Sequence, residues 1–199
     1  MKFILDCPNI NDITENENLH LVDGFDLNSK NNNALPVAEK IKIIEKLSKK
    51  IAKDKLIFIG LSSDDIKEAI ELSKVNKNIV ISFYANNISL CNNLISQGIT
   101  TAVSPVLSLS QAIFFAKSGV HFIFMPLGKL EDMSINGIEL LSEIRTIIDN
   151  YPDFYTQIIS RSVRNLIHIN ESAKVGSDAI CLSNDMLKKM LNCPIMPTF

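Results

Sequence analysis

One stretch constrains the fold of this chain more than any other: Asn78-Ile79-Val80-Ile81-Ser82-Phe83-Tyr84. There, β-branched and aromatic residues occupy consecutive positions, and the small hydroxyl of Ser82 breaks the run. A strand that is apolar on both faces has to be covered on both faces, as a parallel strand wrapped by helices is. In such folds, polar side chains near the C-terminal ends of strands carry the chemistry, which makes Ser82 the residue to follow.

Further strands read at Lys2 to Asp6, Leu21 to Phe25, Leu56 to Leu61, Thr100 to Pro105, His121 to Met125, Tyr155 to Ser160 and Asp178 to Leu182. Helical segments alternate with them. A weak one surrounds Ile10 to Asn16, and a long one runs from about Leu35 to Asp54 with Ile41, Ile44, Leu47 and Ile51 at spacings of three and four. Others begin at Ser62 or Ser63, Ile88, Ser108, Gly137, Ser162 and Asn184, and Gly98 and Gly119 close two of them. Polar loops fill Asp26 to Asn33 and Pro126 to Asn136. Eight strands alternating with eight helices, with no linker and no shift in composition, predict one domain over residues 1–199. That domain is expected to be α/β, a single (β/α)8 TIM barrel rather than an open doubly wound sheet.

Composition narrows the partners. With 46% hydrophobic residues over 199 positions, the chain can bury a substantial core. Its net charge of -2 and mixed charge pattern give no footprint for nucleic acid and none for an anionic membrane, so a small soluble ligand is the expected partner. Cys7, Cys91, Cys181 and Cys193 are far apart and lack metal-ligand spacing, which predicts reduced thiols, no disulfides and no metal site. The short apolar start, Met1 to Leu5, is not a signal peptide, and no run is long enough to span a membrane; a cytoplasmic location is expected. Arginine is scarce, so Arg145, Arg161 and Arg164 stand out, the last two close together after strand seven.

Read together, the segments resemble the small transaldolase and fructose-6-phosphate aldolase family of compact (β/α)8 barrels. The resemblance rests on Met1-Lys2-Phe3-Ile4-Leu5-Asp6, on Asp23-Gly24 with Asn28, and on Asn78-Ile79-Val80-Ile81. It continues through Gly98-Ile99, Gln111-Ala112 with Ala116-Lys117, Gly128-Lys129-Leu130-Glu131-Asp132, Gly137-Ile138-Glu139-Leu140 and Ser162-Val163-Arg164, and so covers nearly the whole chain. It implies a sugar phosphate as substrate, no cofactor, and a strand-four lysine that forms a Schiff base with a ketose carbonyl, a step that needs an amine.

The family pattern Ile-Val-Val-Lys-Val-Pro falls on Ile79-Val80-Ile81-Ser82-Phe83-Tyr84, placing Ser82 at the lysine position. A hydroxyl cannot form an imine. The pattern Thr-Thr-Asn-Pro-Ser falls on Asp26-Leu27-Asn28-Ser29-Lys30 and keeps only the asparagine; Ile59 stands for a strand-three Gln or Glu, and Pro126 for a strand-six aromatic. The strand-five hydroxyl survives as Ser104, and Asp6, which in the family handles substrate hydroxyls, is present. Ser162 and Arg164 match the family's Ser-x-Arg at a helix start, where backbone N–H groups and a guanidinium hold phosphate. The resemblance thus implies catalytic positions at Asp6, Ser82 and Ser104, and substrate binding by Asn28, Lys129, Ser162 and Arg164.

Taken alone, each residue also has a plainer reading. Ser82 fills a tight interior, Asp6 caps the segment beginning at Pro8, Asn28 is a turn residue, Ser162 an N-cap and Arg164 a solvated side chain. His20, His121 and His168 are isolated, and Asp26, Glu131 and Asp132 read as solvated loop carboxylates. Three functions are therefore in view. The first is a transaldolase-like barrel that has lost Schiff-base catalysis but binds a phosphosugar. The second is an active aldolase or transaldolase using a displaced lysine, Lys30 or Lys129. The third is a non-catalytic assembly subunit: the resemblance implies ring-shaped homo-oligomers helped by a C-terminal helix, which this sequence, ending at Phe199, is expected to lack.

Overall fold

A computed structural model describes residues 1–7, 19–49, 54–63 and 65–191, without the side chains of residues 19, 30, 31 and 191. The expected turn of helix around Ile10 to Asn16, Cys193 and the chain end at Phe199 lie outside the described residues. Eight parallel strands are present: β1 Lys2–Asp6, β2 Gly24–Asp26, β3 Leu56–Gly60, β4 Ile79–Phe83, β5 Thr101–Val103, β6 Phe122–Pro126, β7 Gln157–Arg161 and β8 Ala179–Leu182. They pair in sequence order and β1 closes on β8 through Lys2 to Leu5 against Ala179 to Leu182, giving the expected (β/α)8 barrel.

Among the described residues the helices are α1 Lys30–Asn33, α2 Val37–Ser48, α3 Ile66–Ser73, α4 Ile88–Ser96, α5 Leu109–Lys117, α6 Leu127–Asp132, α7 Gly137–Asn150, α8 Leu166–Lys174 and α9 Asn184–Leu191. Several N-caps carry the polar side chains such positions favour, while α2 and α6 start after Pro36 and Pro126. Ser108 accepts from the Gln111 N–H, Asn136 from Glu139, and Asn165 from His168. The expected cap at Ser62 or Ser63 is instead Asp65, which accepts from the Lys67 N–H at 2.8 Å. Ser62 is occupied elsewhere: its N–H and hydroxyl both donate to Glu68, at 2.9 and 2.6 Å. The helix expected to start at Ser162 starts at Leu166, so residues 162–165 form a loop.

Strand alternation divides the core in two. Leu5, Ile57, Ile59, Ile81, Ile123, Ile158 and Ile180 pack outward against helix residues such as Ile44, Leu47, Leu72, Leu94 and Ile144. Ile4, Phe58, Val80, Ala102, Phe122, Phe124, Ile159 and Cys181 fill the barrel interior. Phe58 meets Phe122 and Phe124 edge-on, with ring centroids 5.2 Å apart in each case. This aromatic plug floors the C-terminal mouth.

One buried charge pair braces the wall of that mouth. Lys40 on α2 is fully buried and donates to Glu68 of α3 at 2.6 Å and to the Gly60 carbonyl, at the end of β3, at 2.9 Å. Two helices, a strand end and the Ser62 loop are thereby held by one set of bonds.

Candidate active site at the barrel mouth

Each strand's inward parity decides which side chain reaches the mouth. On β4 Val80 lies in the interior, so Ser82 faces inward two residues later, buried, in register with Gly60 of β3 and Ala102 of β5. On β3 the same parity turns Gly60 inward and Ile59 outward, into the helix-facing core. Ile59 therefore does not occupy the mouth as expected. A Cβ on Gly60 would fall 2.4 Å from Asn33 Nδ2, so the absence of a side chain at Gly60 leaves room for the amide of Asn33.

The chemistry gathers around a carboxylate expected from the sequence in a solvated loop but buried in the structure. Asp26 is the last residue of β2, pairs with Asp6 and Phe58 in the strand register, and is fully buried. Asn28 donates to Asp26 Oδ1 twice, from its backbone N–H at 3.0 Å and from Nδ2 at 2.7 Å; Nδ2 also donates to Ser82 Oγ at 2.9 Å. From the opposite wall, Arg161 at the end of β7 places Nη2 2.9 Å from Asp26 Oδ2 and donates to the Asn28 carbonyl at 3.0 Å. Its guanidinium sits 5.5 Å from the Phe124 ring centroid, a cation–π contact. The Cys181 thiol donates to Asp26 Oδ2 at 3.6 Å.

This arrangement is electrostatically tight. Burial pushes the Asp26 carboxyl above its ordinary value and outweighs the opposing Arg161 charge, while the neighbouring Asp6 charge adds to the rise. Burial also raises the Cys181 thiol well above its usual value, so it acts as a neutral donor, not a nucleophile.

Above this layer lies a cavity of about 550 Å³. Asp6, Asn28, Ser82, Ser104, Lys129 and Ser162 all line it, together with Asn33, Ser62, Tyr84, Pro126 and Arg161. Six of the seven residues singled out from the sequence thus share one space. The seventh, Arg164, is not among the lining residues. It grips both carboxylate oxygens of Asp132 on the exposed rim, which holds Asp132 below its ordinary range. It also lies across α6, where a Cβ at Gly128 would come within 2.5 Å of Arg164 Nε and 2.6 Å of the Ser162 carbonyl.

The sequence reading did not select Asp26, Asn33 or Arg161 for the site. The scarcity of arginine was the one signal pointing at Arg161; Arg145, by contrast, pairs with Asp149 and Asp178 away from the mouth. Among the described residues, no group of three or more His, Cys, Asp or Glu side chains could hold a metal ion.

A closed parallel (β/α)8 barrel with a polar, charge-lined cavity at the C-terminal ends of its strands has the layout of the enzyme barrels. The likeness extends to fold neighbours of different sequence: thiamine phosphate pyrophosphorylase from Pyrococcus furiosus superposes with a TM-score of 0.66 at 17% identity, covering 96% of this chain and 95% of that one. Sequence is more specific. The chain matches the model of the Transaldolase/Fructose-6-phosphate aldolase family over residues 5–196 and belongs to that family. It is 36% identical to a probable transaldolase of Bartonella tribocorum and 37% identical to one of Bartonella quintana, each alignment covering 98% of this chain and 91% of the relative. A probable transaldolase of Brucella ovis is 33% identical over the same shares.

Proposed function

We propose that this chain is a transaldolase-family barrel that binds a sugar phosphate in its mouth without forming a Schiff base. The observation that carries this reading is Ser82, the inward-facing side chain at the C-terminal end of β4. It is a hydroxyl hydrogen-bonded to Asn28 where the family pattern has an amine. Carbonyl capture as an imine needs a primary amine, and a hydroxyl offers no nitrogen for the electron sink. With Pro126 lining the cavity at the end of β6 and Gly60 inward on β3, neither of these two strand ends supplies a group for proton transfer.

Binding, in contrast, is well provided for. Asp6, Asn28, Ser82 and Ser104 offer hydrogen-bonding partners to a polyhydroxylated chain, and Lys129 and Ser162 lie where an anionic end can sit. The competing reading, an active enzyme with a displaced lysine, draws on Lys129 because it lines the same cavity. But Lys129 is exposed, whereas an imine-forming amine works from a desolvated pocket. The side chain of Lys30 lies outside the described residues.

Borohydride reduction in the presence of fructose 6-phosphate, followed by peptide mass mapping, separates the two readings. The expected result is an unmodified map together with saturable binding of the sugar phosphate. A reduced adduct on Lys129 or Lys30 overturns the loss of Schiff-base chemistry.

A further inference from the structure

Building on that reading of the mouth as a sugar-phosphate site, we propose that Arg161, not Arg164, is the residue that holds the ligand's phosphate. Two arginines lie at the end of β7 and in the loop after it, and the geometry treats them differently. Arg164 spends both terminal nitrogens on Asp132, and its side chain is 48% exposed on the rim. A phosphate would need that same bidentate edge and would have to displace a carboxylate already seated on it.

Arg161 points into the barrel, because Ile159 two residues earlier is an interior side chain, and its guanidinium lines the cavity. Its contacts to Asp26 and to the Asn28 carbonyl are both made by Nη2, which accounts for two of the five N–H donors of a guanidinium. Packing over Phe124 and tethering across the mouth fix the group before any ligand arrives, so binding does not have to freeze a long side chain. Lys129 lines the same cavity and adds a second positive charge.

The remaining partners indicate what else the ligand carries. The amide oxygens of Asn28 and Asn33 are buried without a hydrogen-bond partner among the described residues, and both side chains line the cavity. Orphaned acceptors are matched by hydroxyl donors. An anion on the Arg161 side and O–H groups on the Asn28 and Asn33 side together describe a polyol phosphate monoester, bound without covalent capture.

Titration calorimetry with fructose 6-phosphate, fructose and inorganic phosphate tests the assignment on the full chain. The unaltered protein should bind fructose 6-phosphate at least tenfold more tightly than fructose. Because removing Arg161 alone strands the buried Asp26 carboxylate, the key variant combines Asp26→Asn with Arg161→Gln; it should lose that preference while keeping a folded circular dichroism spectrum. Asp26→Asn alone, which frees Arg161 from its competing carboxylate, should tighten fructose 6-phosphate several-fold, a change that a purely structural arginine would not produce. Arg164→Ala should keep the preference. The assignment is overturned if the double variant retains the preference, if Asp26→Asn weakens the phosphate ligand, or if Arg164→Ala erases the preference. Failure of the unaltered protein to bind fructose 6-phosphate at all would sink the sugar-phosphate reading itself, an outcome distinct from these three.

Discussion

At Ser82 a small hydroxyl takes up little of the interior and accepts the hydrogen bond that orients Asn28. Replacing it with alanine removes one acceptor while Asn28 keeps Asp26, so Ser82→Ala should cost about 1 kcal/mol of stability, read from the urea midpoint. A second residue-scale prediction concerns pH. The Arg164 hydrogen bonds hold the Asp132 carboxyl below its ordinary value of 3.8. A carboxyl depressed in the folded state stabilises the protein above its unfolded value and loses that contribution as pH falls through the folded one. Urea unfolding of the protein and of Asp132→Asn should therefore differ at pH 6 and converge toward pH 2; the difference should be small because the pair is exposed and screened. A difference that grew on acidification would contradict the ion pair. At this scale the sequence could indicate Ser82, since a polar residue inside an apolar run is visible in one dimension. The link between Asp26 and Arg161 was not legible, because two charged residues at strand ends far apart in the chain look like the beginnings of loops until the barrel closes and brings them together.

Among the elements, β3 and its flanking helices show why strand existence is easier to read than strand parity. Leu56-Ile57-Phe58-Ile59 is apolar throughout, so no alternation reveals which face is which, and a one-residue choice reverses every side chain. That choice put Ile59 in the mouth; the folded register puts Gly60 there and Ile59 against the helices. Two helix starts differ from those expected for a related reason, since Ser62 and Ser162 carry the chemistry of an N-cap while Asp65 and Asn165 perform the role one turn later. The buried Lys40–Glu68 pair between α2 and α3 had no sequence signal, because Lys40 sits within a lysine-rich helix whose other lysines face solvent. Breaking it from one side leaves a buried carboxylate without its cation, so Lys40→Met should cost about 3–5 kcal/mol in urea unfolding. Adding Glu68→Gln should recover part of that loss by removing the stranded charge. Were the single variant to lose less than about 1 kcal/mol, the pair would not be buried as described.

For the molecule as a whole, the two cores have different jobs, and a substitution between them should reveal it. The outer layer joins strands to helices and supplies most of the buried apolar surface; the inner plug is small and supports the mouth directly. Phe58 is fully buried at the centre of that plug, edge-on to both Phe122 and Phe124, and Phe124 in turn carries the Arg161 guanidinium. A closed ring of strands cannot collapse readily around a missing side chain, so Phe58→Ala should leave much of its cavity open and cost about 3–5 kcal/mol. Against a total stability on the order of 5–15 kcal/mol, this is enough to lower the urea midpoint markedly with an unchanged slope. The same substitution removes the ring that buttresses Phe124, so the Arg161 tether to Asp26 should loosen and fructose 6-phosphate binding should weaken at temperatures where the variant is still fully folded. Leu47→Ala in the outer layer, where helices can shift to close the gap, should cost about 2–5 kcal/mol yet leave binding in the folded state unchanged. Equal effects of the two variants on binding would mean that the plug does not transmit its packing to the mouth.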